Sequence, residues 1–356
     1  MLPPVARALL LAALLAAGAS SGHEARHYTK LDRDLVRCEL CPHQCVIAPG
    51  SRGVCRVREN RDGVLRSLVY GRAATVGKEP IEKSPFFHFL PGSLRLTLAT
   101  AGCNQSCKYC QNWELSQSRP EDLPAHDLPP DSVVALALRE GVPTICLTYS
   151  EPVVFYEYAC DIARAARASG LRTVVVTGGY INPGPLAELC ALVDAVKIDL
   201  KGFTDEFYRE VCGSRLAPVL AACRVVRKSG THLELVNLVV PAHNDDSADV
   251  AAMCRWIADS LGTDVPVHFS RFSPAYRLLN APPTPVRTLE RCLTIADAAG
   301  LEYAYIGNVP GHEREHSSCP GCGTRLITRR GYQVALNRLR DGRCPDCGRE
   351  IAGVWQ

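Results

Sequence analysis

Residues 94–110 read LRLTLATAGCNQSCKYC, and this stretch decides the fold. An apolar, β-rich run from Leu94 to Ala99 leads directly into a loop that carries Cys103, Cys107 and Cys110. The run predicts a buried strand, and the loop follows the end of that strand, where βα architectures place their sites. Three thiolates at this spacing can face three corners of a cubane iron–sulfur cluster and leave the fourth iron open. The alternative is a zinc site completed by a distant ligand.

Similar short apolar runs follow along the chain and alternate with stretches of helical periodicity. This alternation predicts parallel strands joined by right-handed crossovers. Six or seven units are too few for a closed eight-fold barrel, so we expect an α/β fold, an open and partial TIM-like barrel over residues 94–310. The predicted strands are 94–99, 144–148, 173–177, 195–199, 233–239, 267–271 and 303–306, and the predicted helices lie near 131–140, 155–169, 185–192, 217–229, 249–261 and 288–299.

Composition sets the broad class of protein. The 356 residues are 47% hydrophobic with a net charge of +3, which excludes a histone-like basic protein and a mainly disordered chain. The unusual number is 18 cysteines, eleven of which form three tight groups. Close C-x2-C pairs favour metal ligands in a reducing compartment over disulfides. The remaining seven are expected to be small buried hydrophobes: Cys146, Cys160, Cys190, Cys212, Cys223, Cys254 and Cys292.

The C-terminal group has the spacing C-x2-C-x21-C-x2-C, which is typical of a zinc ribbon. Its members are Cys319, Cys322, Cys344 and Cys347. They predict a zinc-ribbon-like tail over residues 311–356 that acts as a structural staple or a docking element. The eight arginines of this tail exceed its five acidic residues, but four thiolates on Zn²⁺ cancel most of the excess. No nucleic-acid contact is therefore predicted.

The N-terminal group has the spacing C-x2-C-x3-C-x9-C and lies in a turn-rich stretch, residues 23–93. Its members are Cys38, Cys41, Cys45 and Cys55. They predict a small module held together by its ligands. The group suits either zinc or an auxiliary iron–sulfur cluster, and the spacing does not choose between them.

Residues 1–22 have the form of a secretory signal peptide, with an apolar run behind Arg7 and small residues at the end. The alternative is that translation begins downstream, near His23. No other stretch approaches the length of a membrane span, so none is predicted. Because exposed clusters and seven further thiols suit a reducing compartment, we expect the protein to work in the cytoplasm.

The cysteine loop, with Tyr109 before its last cysteine, resembles the radical S-adenosylmethionine (SAM) superfamily, which implies that the partial barrel is a (β/α)6 barrel. Further stretches are similar to one branch of it, the AmmeMemoRadiSam system radical SAM enzymes, which is related to the activating enzymes of glycyl-radical proteins. Those stretches are EPIEK (79–83), HFLPG (88–92), CQNW (110–113), TYSEP (148–152), GNV (307–309) and IAGVW (351–355).

The resemblance implies that Cys103, Cys107 and Cys110 hold a [4Fe–4S] cluster whose free iron binds SAM. A 5′-deoxyadenosyl radical then takes hydrogen from a substrate, with the protein positioning both partners. It also implies a one-electron donor such as flavodoxin or ferredoxin, and it allows a protein substrate carrying a glycyl site. A small molecule or an unrelated peptide is the alternative substrate. A multi-zinc interaction protein without catalysis is the alternative from another class.

Four further residues are implied to bind the cofactor: Tyr109, Glu151, Asp199 and Lys201. Many members of the superfamily carry Gly-Gly-Glu after the second strand, whereas this chain has Thr148-Tyr149-Ser150-Glu151. Glu151 can still supply the carboxylate, or it can be a helix-start acid beside Pro152. Asp199 and Lys201 either contact the cofactor or pair with each other.

Overall fold

The computed structural model describes residues 22–356, so the predicted leader, 1–22, lies outside the described residues except for Gly22. Its centre is an eight-stranded sheet in which seven consecutive strands run parallel. Each of these strands is hydrogen-bonded to the next one along the chain. The parallel strands are β1 (Leu94–Ala99), β2 (Thr144–Leu147), β3 (Arg172–Thr177), β4 (Ala195–Asp199), β5 (His232–Val239), β6 (Val267–Arg271) and β7 (Ala304–Gly307).

A helix lies between each pair of successive parallel strands, which confirms the predicted partial (β/α)6 barrel with its seven predicted strands and six helices. Asp246 caps one helix by accepting the backbone N–H groups of Ala248 and Asp249, and the left-handed Gly230 ends another. The predicted bounds differ from the observed ones by at most two residues. The helices are α1 (Pro130–Arg139), α2 (Tyr156–Ala168), α3 (Pro183–Cys190), α4 (Leu216–Ser229), α5 (Ser247–Leu261) and α6 (Val286–Ala298).

The eighth strand of the sheet, Thr75–Pro80, pairs antiparallel with β1 and was not predicted. Its sequence, TVGKEP, lacks an apolar run because it is a partly exposed edge strand. Within residues 22–356, no pairing joins this edge to β7 at the other edge, so the barrel stays open.

The segment after this edge strand forms a floor inside the barrel. Phe86 and Phe89 are fully buried and pack in one cluster with Cys146, Val174 and Ala195, which lie on β2, β3 and β4. Two residues further along each strand, the side chains line the cavity described below. The floor therefore closes the barrel on the side of the strand starts.

The C-terminal segment completes this floor. It forms a small antiparallel sheet from strands Ser317–Ser318, Arg325–Arg330 and Gln333–Asn337. The buried Arg329 donates to the Phe87 carbonyl at 2.7 Å. His88 donates through Nδ1 to the Ala352 carbonyl at 2.6 Å.

The N-terminal module consists mainly of two three-stranded antiparallel sheets. Its apolar side chains Val36, Leu40 and Val57 join the main core cluster of the barrel. The module is therefore packed on the barrel by an apolar face in addition to its cysteines. Its six strands are His23–Glu24, Tyr28–Lys30, Val36–Cys38, Val46–Ile47, Arg58–Arg61 and Val64–Ser67.

None of the helices formed by residues 22–356 has the length and apolar character needed to cross a membrane.

Candidate functional site

The cysteine loop is held in place by its backbone. Ser106 and Lys108 donate their N–H groups to the carbonyls of Cys212 and Val211, both at 2.9 Å. Those two carbonyls belong to a π-helical turn, Tyr208–Cys212, which follows β4. Gly102 has a φ of +96°, and a Cβ there would lie 2.5 Å from Val57 Cγ1. Glycine is therefore required where the loop passes the N-terminal module.

The three thiols of this loop line one cavity of about 570 Å³ at the carboxyl ends of the strands. Cys103, Cys107 and Cys110 are the cysteines among its lining residues, and Cys107 is buried. A donor set of three thiols beside an open cavity fits a cluster with one iron free for a substrate. The residues present therefore fit a [4Fe–4S] group with SAM beside it.

Glu151 lines the same cavity and is 2% exposed. Its carboxylate accepts hydrogen bonds from the Thr177 hydroxyl at 2.6 Å, the Gly178 N–H at 2.8 Å and the Val153 N–H at 3.1 Å. Burial raises the pKa of Glu151, although these donors oppose the shift. The bond to Val153 caps a helical turn, so Glu151 has the helix-start role and also faces the cavity. The two roles predicted for Glu151, helix-start acid and cofactor-binding carboxylate, are therefore compatible.

Asp199 is the last residue of β4 and pairs with Lys201, which follows the strand; Lys201 Nζ lies 3.2 Å from Asp199 Oδ2. A second ammonium, that of Lys197, lies 3.4 Å from Asp199 Oδ1. Burial alone would raise the pKa of Asp199, but these two lysines hold it below its ordinary value. All three residues line the cavity. Its wall therefore carries a charged triad with one excess positive charge.

Tyr109 is buried and lines the cavity. Its ring lies against Phe207 and Phe272, with centroids 6.3 and 6.5 Å away. Its hydroxyl lies 3.7 Å from Cys212 Sγ. The sequence assigned Cys212 only as a buried hydrophobe, whereas the structure places it directly behind the cysteine loop.

The outer wall of the cavity brings together residues far apart in sequence. Glu79 accepts hydrogen bonds from the Tyr149 hydroxyl at 2.6 Å and from Lys83 Nζ at 2.5 Å. Tyr149 has a φ of +64°, an uncommon conformation for a non-glycine residue. Lys83 and Tyr149 line the cavity, and Tyr332 from the C-terminal sheet does so as well.

The C-terminal cysteines converge on one point. The sulfurs of Cys319 and Cys347 are 3.5 Å apart, those of Cys322 and Cys344 are 3.6 Å apart, and all four lie within 4.8 Å. Zn–S bonds of about 2.3 Å in a tetrahedron place sulfurs about 3.8 Å apart. The four thiols therefore fit a single tetrahedral ion.

The N-terminal cysteines line a second cavity, on the other side of the cysteine loop. Cys38 and Cys55 are buried, and Cys41 and Cys45 are partly exposed. His43 lies in the same loop and places Nε2 2.7 Å from the Asn104 carbonyl oxygen. The N-terminal module therefore contacts the cysteine loop directly.

Sequence reasoning missed Lys197, Lys83 and Tyr149. Lys197 carried a signal, because it is a charged residue inside the otherwise apolar run 195–198. Such a residue in a strand buried on both faces must point into a polar cavity. Lys83 and Tyr149 stood within the quoted stretches EPIEK and TYSEP, but nothing local showed that they meet.

Known proteins resemble this chain at several levels. The family model described as Radical SAM superfamily matches residues 97–255. An uncharacterized protein of Methanocaldococcus jannaschii is 44% identical over 330 residues, which cover 92% of this chain and 98% of that protein. The pyruvate formate-lyase 1-activating enzyme of Escherichia coli is 22% identical over 226 residues, covering 59% of this chain and 91% of that enzyme. The solved structure of a radical SAM methyltransferase from Sphaerobacter thermophilus matches with a TM-score of 0.48 and 19% identity, over 61% of this chain and 67% of that one.

Proposed function

Because the chain belongs to the radical SAM superfamily, in the branch related to glycyl-radical activating enzymes, we propose that it cleaves SAM reductively at a [4Fe–4S] cluster. Cys103, Cys107 and Cys110 hold this cluster. The observation that carries the proposal is that these three thiols line one cavity together with Glu151 and Asp199. When bound, the cluster and SAM supply a one-electron cleavage whose 5′-deoxyadenosyl radical takes hydrogen from the substrate.

The side chains of the cavity bind and orient SAM. Glu151 receives the ammonium of its methionine part, since an adjacent cation favours the ionised carboxylate that burial disfavours. Lys201 donates to its carboxylate, while Asp199 keeps Lys201 charged and in place. Tyr109 supplies an apolar wall beside the cluster.

Water is excluded from the barrel mainly by the floor. Phe86 and Phe89 close the side of the strand starts, and the cavity lies at the carboxyl ends of the strands. A reactive radical in a closed site meets its substrate rather than solvent. The substrate enters past Lys83, Tyr149 and Tyr332.

We assign the substrate first to the glycyl site of a partner protein. The support is the likeness to the pyruvate formate-lyase 1-activating enzyme, which extends over 91% of that enzyme. The second candidate is a small anionic molecule or a peptide carboxylate. It is favoured by the lysines of the wall, because Lys197 and Lys201 share the single carboxylate of Asp199.

Three further assignments belong to this proposal. The electron comes from a one-electron donor such as flavodoxin or ferredoxin. The protein works in the cytoplasm, since all its cysteines are unpaired and both SAM and strong reductants are cytoplasmic. Cys319, Cys322, Cys344 and Cys347 hold zinc and stabilise the C-terminal tail.

The test is SAM cleavage under anaerobic conditions with dithionite, read as 5′-deoxyadenosine and methionine. The native chain should release both, and Cys107→Ala should release neither and lose about four iron atoms. Cys292→Ala, which changes a buried thiol on α6, is the matched control and should cleave normally. Full cleavage by Cys107→Ala would contradict the assignment. The two substrate candidates are then distinguished by adding either a glycine-containing partner protein or anionic small molecules and measuring which of them increases 5′-deoxyadenosine release.

A further inference from the structure

The four N-terminal cysteines surround a cavity that a single water molecule does not explain. Cys38, Cys41, Cys45 and Cys55 line a cavity of about 20 Å³, whose other walls are largely apolar. A buried water needs about 10–15 Å³ and two to four polar partners. This cavity has room for about one water molecule, but its walls are mainly sulfur and carbon and offer a water few polar partners. Four thiols around such a space point to a soft metal centre.

The spacing of these thiols distinguishes a cluster from a single ion. The C-terminal thiols lie within 4.8 Å of one another, which suits a single ion at their centre. Within residues 22–356, no second group of three or more possible metal ligands packs this tightly. The N-terminal four are thus spaced more widely, as are Cys103, Cys107 and Cys110 of the catalytic loop. Both of these groups instead border a cavity.

One buried hydrogen-bond donor beside this cavity, on Arg58, lacks a protein partner. Arg58 is 1% exposed and lines the cavity, and its Nε–H has no partner among the described residues. Its other guanidinium nitrogens are bound by Glu157 and by the Arg26 carbonyl. A buried donor without an acceptor needs an explanation. The sulfur atoms of a cluster, which carry negative charge, would accept this hydrogen bond.

We infer that Cys38, Cys41, Cys45 and Cys55 hold a second [4Fe–4S] cluster, closed by four protein thiolates, which relays electrons to the catalytic loop. One electron from a reduced donor protein takes the second cluster from the 2+ to the 1+ state. Passing that electron inward reduces the SAM-binding cluster and restores the 2+ state. The site itself does not depend on the proposed function, whereas the relay role rests on it.

The position of the site suits a relay. Asn104 lines the N-terminal cavity, while its neighbours Cys103 and Gln105 line the main cavity. A Cβ on Gly102 would lie 2.9 Å from the Cys55 carbonyl oxygen, so the two loops are in backbone contact. One loop therefore separates the two sites.

The opposite side of the N-terminal cavity reaches the surface. Val46 and Val54 follow Cys45 and precede Cys55, and they are 56% and 55% exposed. Exposed apolar residues at this point allow a donor protein to come close to the second cluster. The electron would then enter from outside the barrel and leave the substrate cavity free.

The cluster is tested in a chain whose catalytic loop is disabled by Cys103→Ala, Cys107→Ala and Cys110→Ala together. After anaerobic reconstitution, the native chain should contain about eight iron and eight sulfide, and the triple variant about four of each. The reduced triple variant should give a paramagnetic-resonance signal that SAM does not shift. Both chains should hold about one zinc, from the C-terminal tail. A triple variant with no iron and about two zinc would overturn the inference.

The relay is tested in Cys41→Ser with Cys45→Ser, the two partly exposed members of the group. SAM cleavage is measured with dithionite, which enters the open cavity directly, and with reduced flavodoxin. The rate driven by flavodoxin should fall at least tenfold further than the rate driven by dithionite. Equal losses with both reductants, or no loss with either, would overturn the relay. Failure of the native chain to cleave SAM refutes the proposed function instead, because the iron content of the triple variant still decides the cluster.

Discussion

The buried ion pair between Arg58 and Glu157 is expected to fasten the N-terminal module to α2. Arg58 is 1% exposed and Glu157 is 2% exposed. Two guanidinium nitrogens reach the two carboxylate oxygens at 3.0 and 3.2 Å, and one of these oxygens also accepts the Arg26 N–H at 2.7 Å. The Glu157 carboxylate thus binds both the Arg58 side chain and the Arg26 backbone of the module.

Glu157→Gln keeps the shape of this side chain and removes its charge. Arg58 is then left as a buried cation, and one of its N–H groups faces the new amide nitrogen. Removing one partner of a buried ion pair costs about 3–5 kcal/mol. The amides of Val36–Cys38 and Val64–Ser67 should therefore exchange their hydrogens roughly 10²–10⁴ times faster in the variant than in the native chain, because the module opens more often.

Hydrogen exchange read by mass spectrometry measures this opening peptide by peptide. The matched control is Glu188→Gln, which breaks the exposed pair of Arg26 and Glu188 across the same interface. Exposed pairs contribute less than about 1 kcal/mol, so this variant should change exchange by less than about fivefold. The double variant Arg58→Met, Glu157→Gln should recover much of the protection. Equal exchange in Glu157→Gln and Glu188→Gln would refute the reasoning.

Three further changes have defined outcomes. Glu151→Gln removes the carboxylate proposed to receive the ammonium of SAM, so SAM should bind about 10- to 100-fold more weakly by calorimetry; unchanged affinity contradicts its cofactor role. Cys344→Ser with Cys347→Ser should lose about one zinc per chain by elemental analysis, and retained zinc contradicts the closed site. Burial lowers the pKa of His88 to about 3 from 6.5, so its contribution to stability is complete above pH 6.5 and is lost as the pH falls toward 3. The free energy of unfolding in urea should therefore fall between pH 7 and pH 5 by about 2 kcal/mol more in the native chain than in His88→Gln. Equal decreases in the two chains would exclude His88 as the source.

The barrel could be predicted from sequence because its strands are buried on both faces. Runs such as 144–147 and 173–176 are almost continuously apolar, and the helices between the strands have a regular period. The cysteine loop was found for a related reason, since its three ligands lie close together in the chain. Local patterns of this kind require no knowledge of which strand lies next to which.

Other parts of the site depend on contacts that no local pattern encodes. Glu79 and Tyr149 are 70 residues apart, and their bond exists only because an unpredicted edge strand pairs with β1. Cys212 looked like any apolar helix cysteine until the π-helical turn placed it behind Tyr109. The sequence did not determine which metal the N-terminal group holds, because spacing along the chain does not fix the distances between the sulfur atoms.

The barrel floor has a consequence for how the protein folds during its synthesis on the ribosome. His88 donates to the carbonyl of Ala352, 264 residues later, and Val354 pairs with Phe89 close to the end of the chain. A nascent chain therefore lacks part of its floor until the segment that contains Ala352 and Val354 has been synthesised. Iron and sulfide that bind the cysteine loop before then would bind in an incomplete barrel. Synthesis of this distant segment, in addition to that of the cysteine loop, is needed before the barrel can enclose its cofactors.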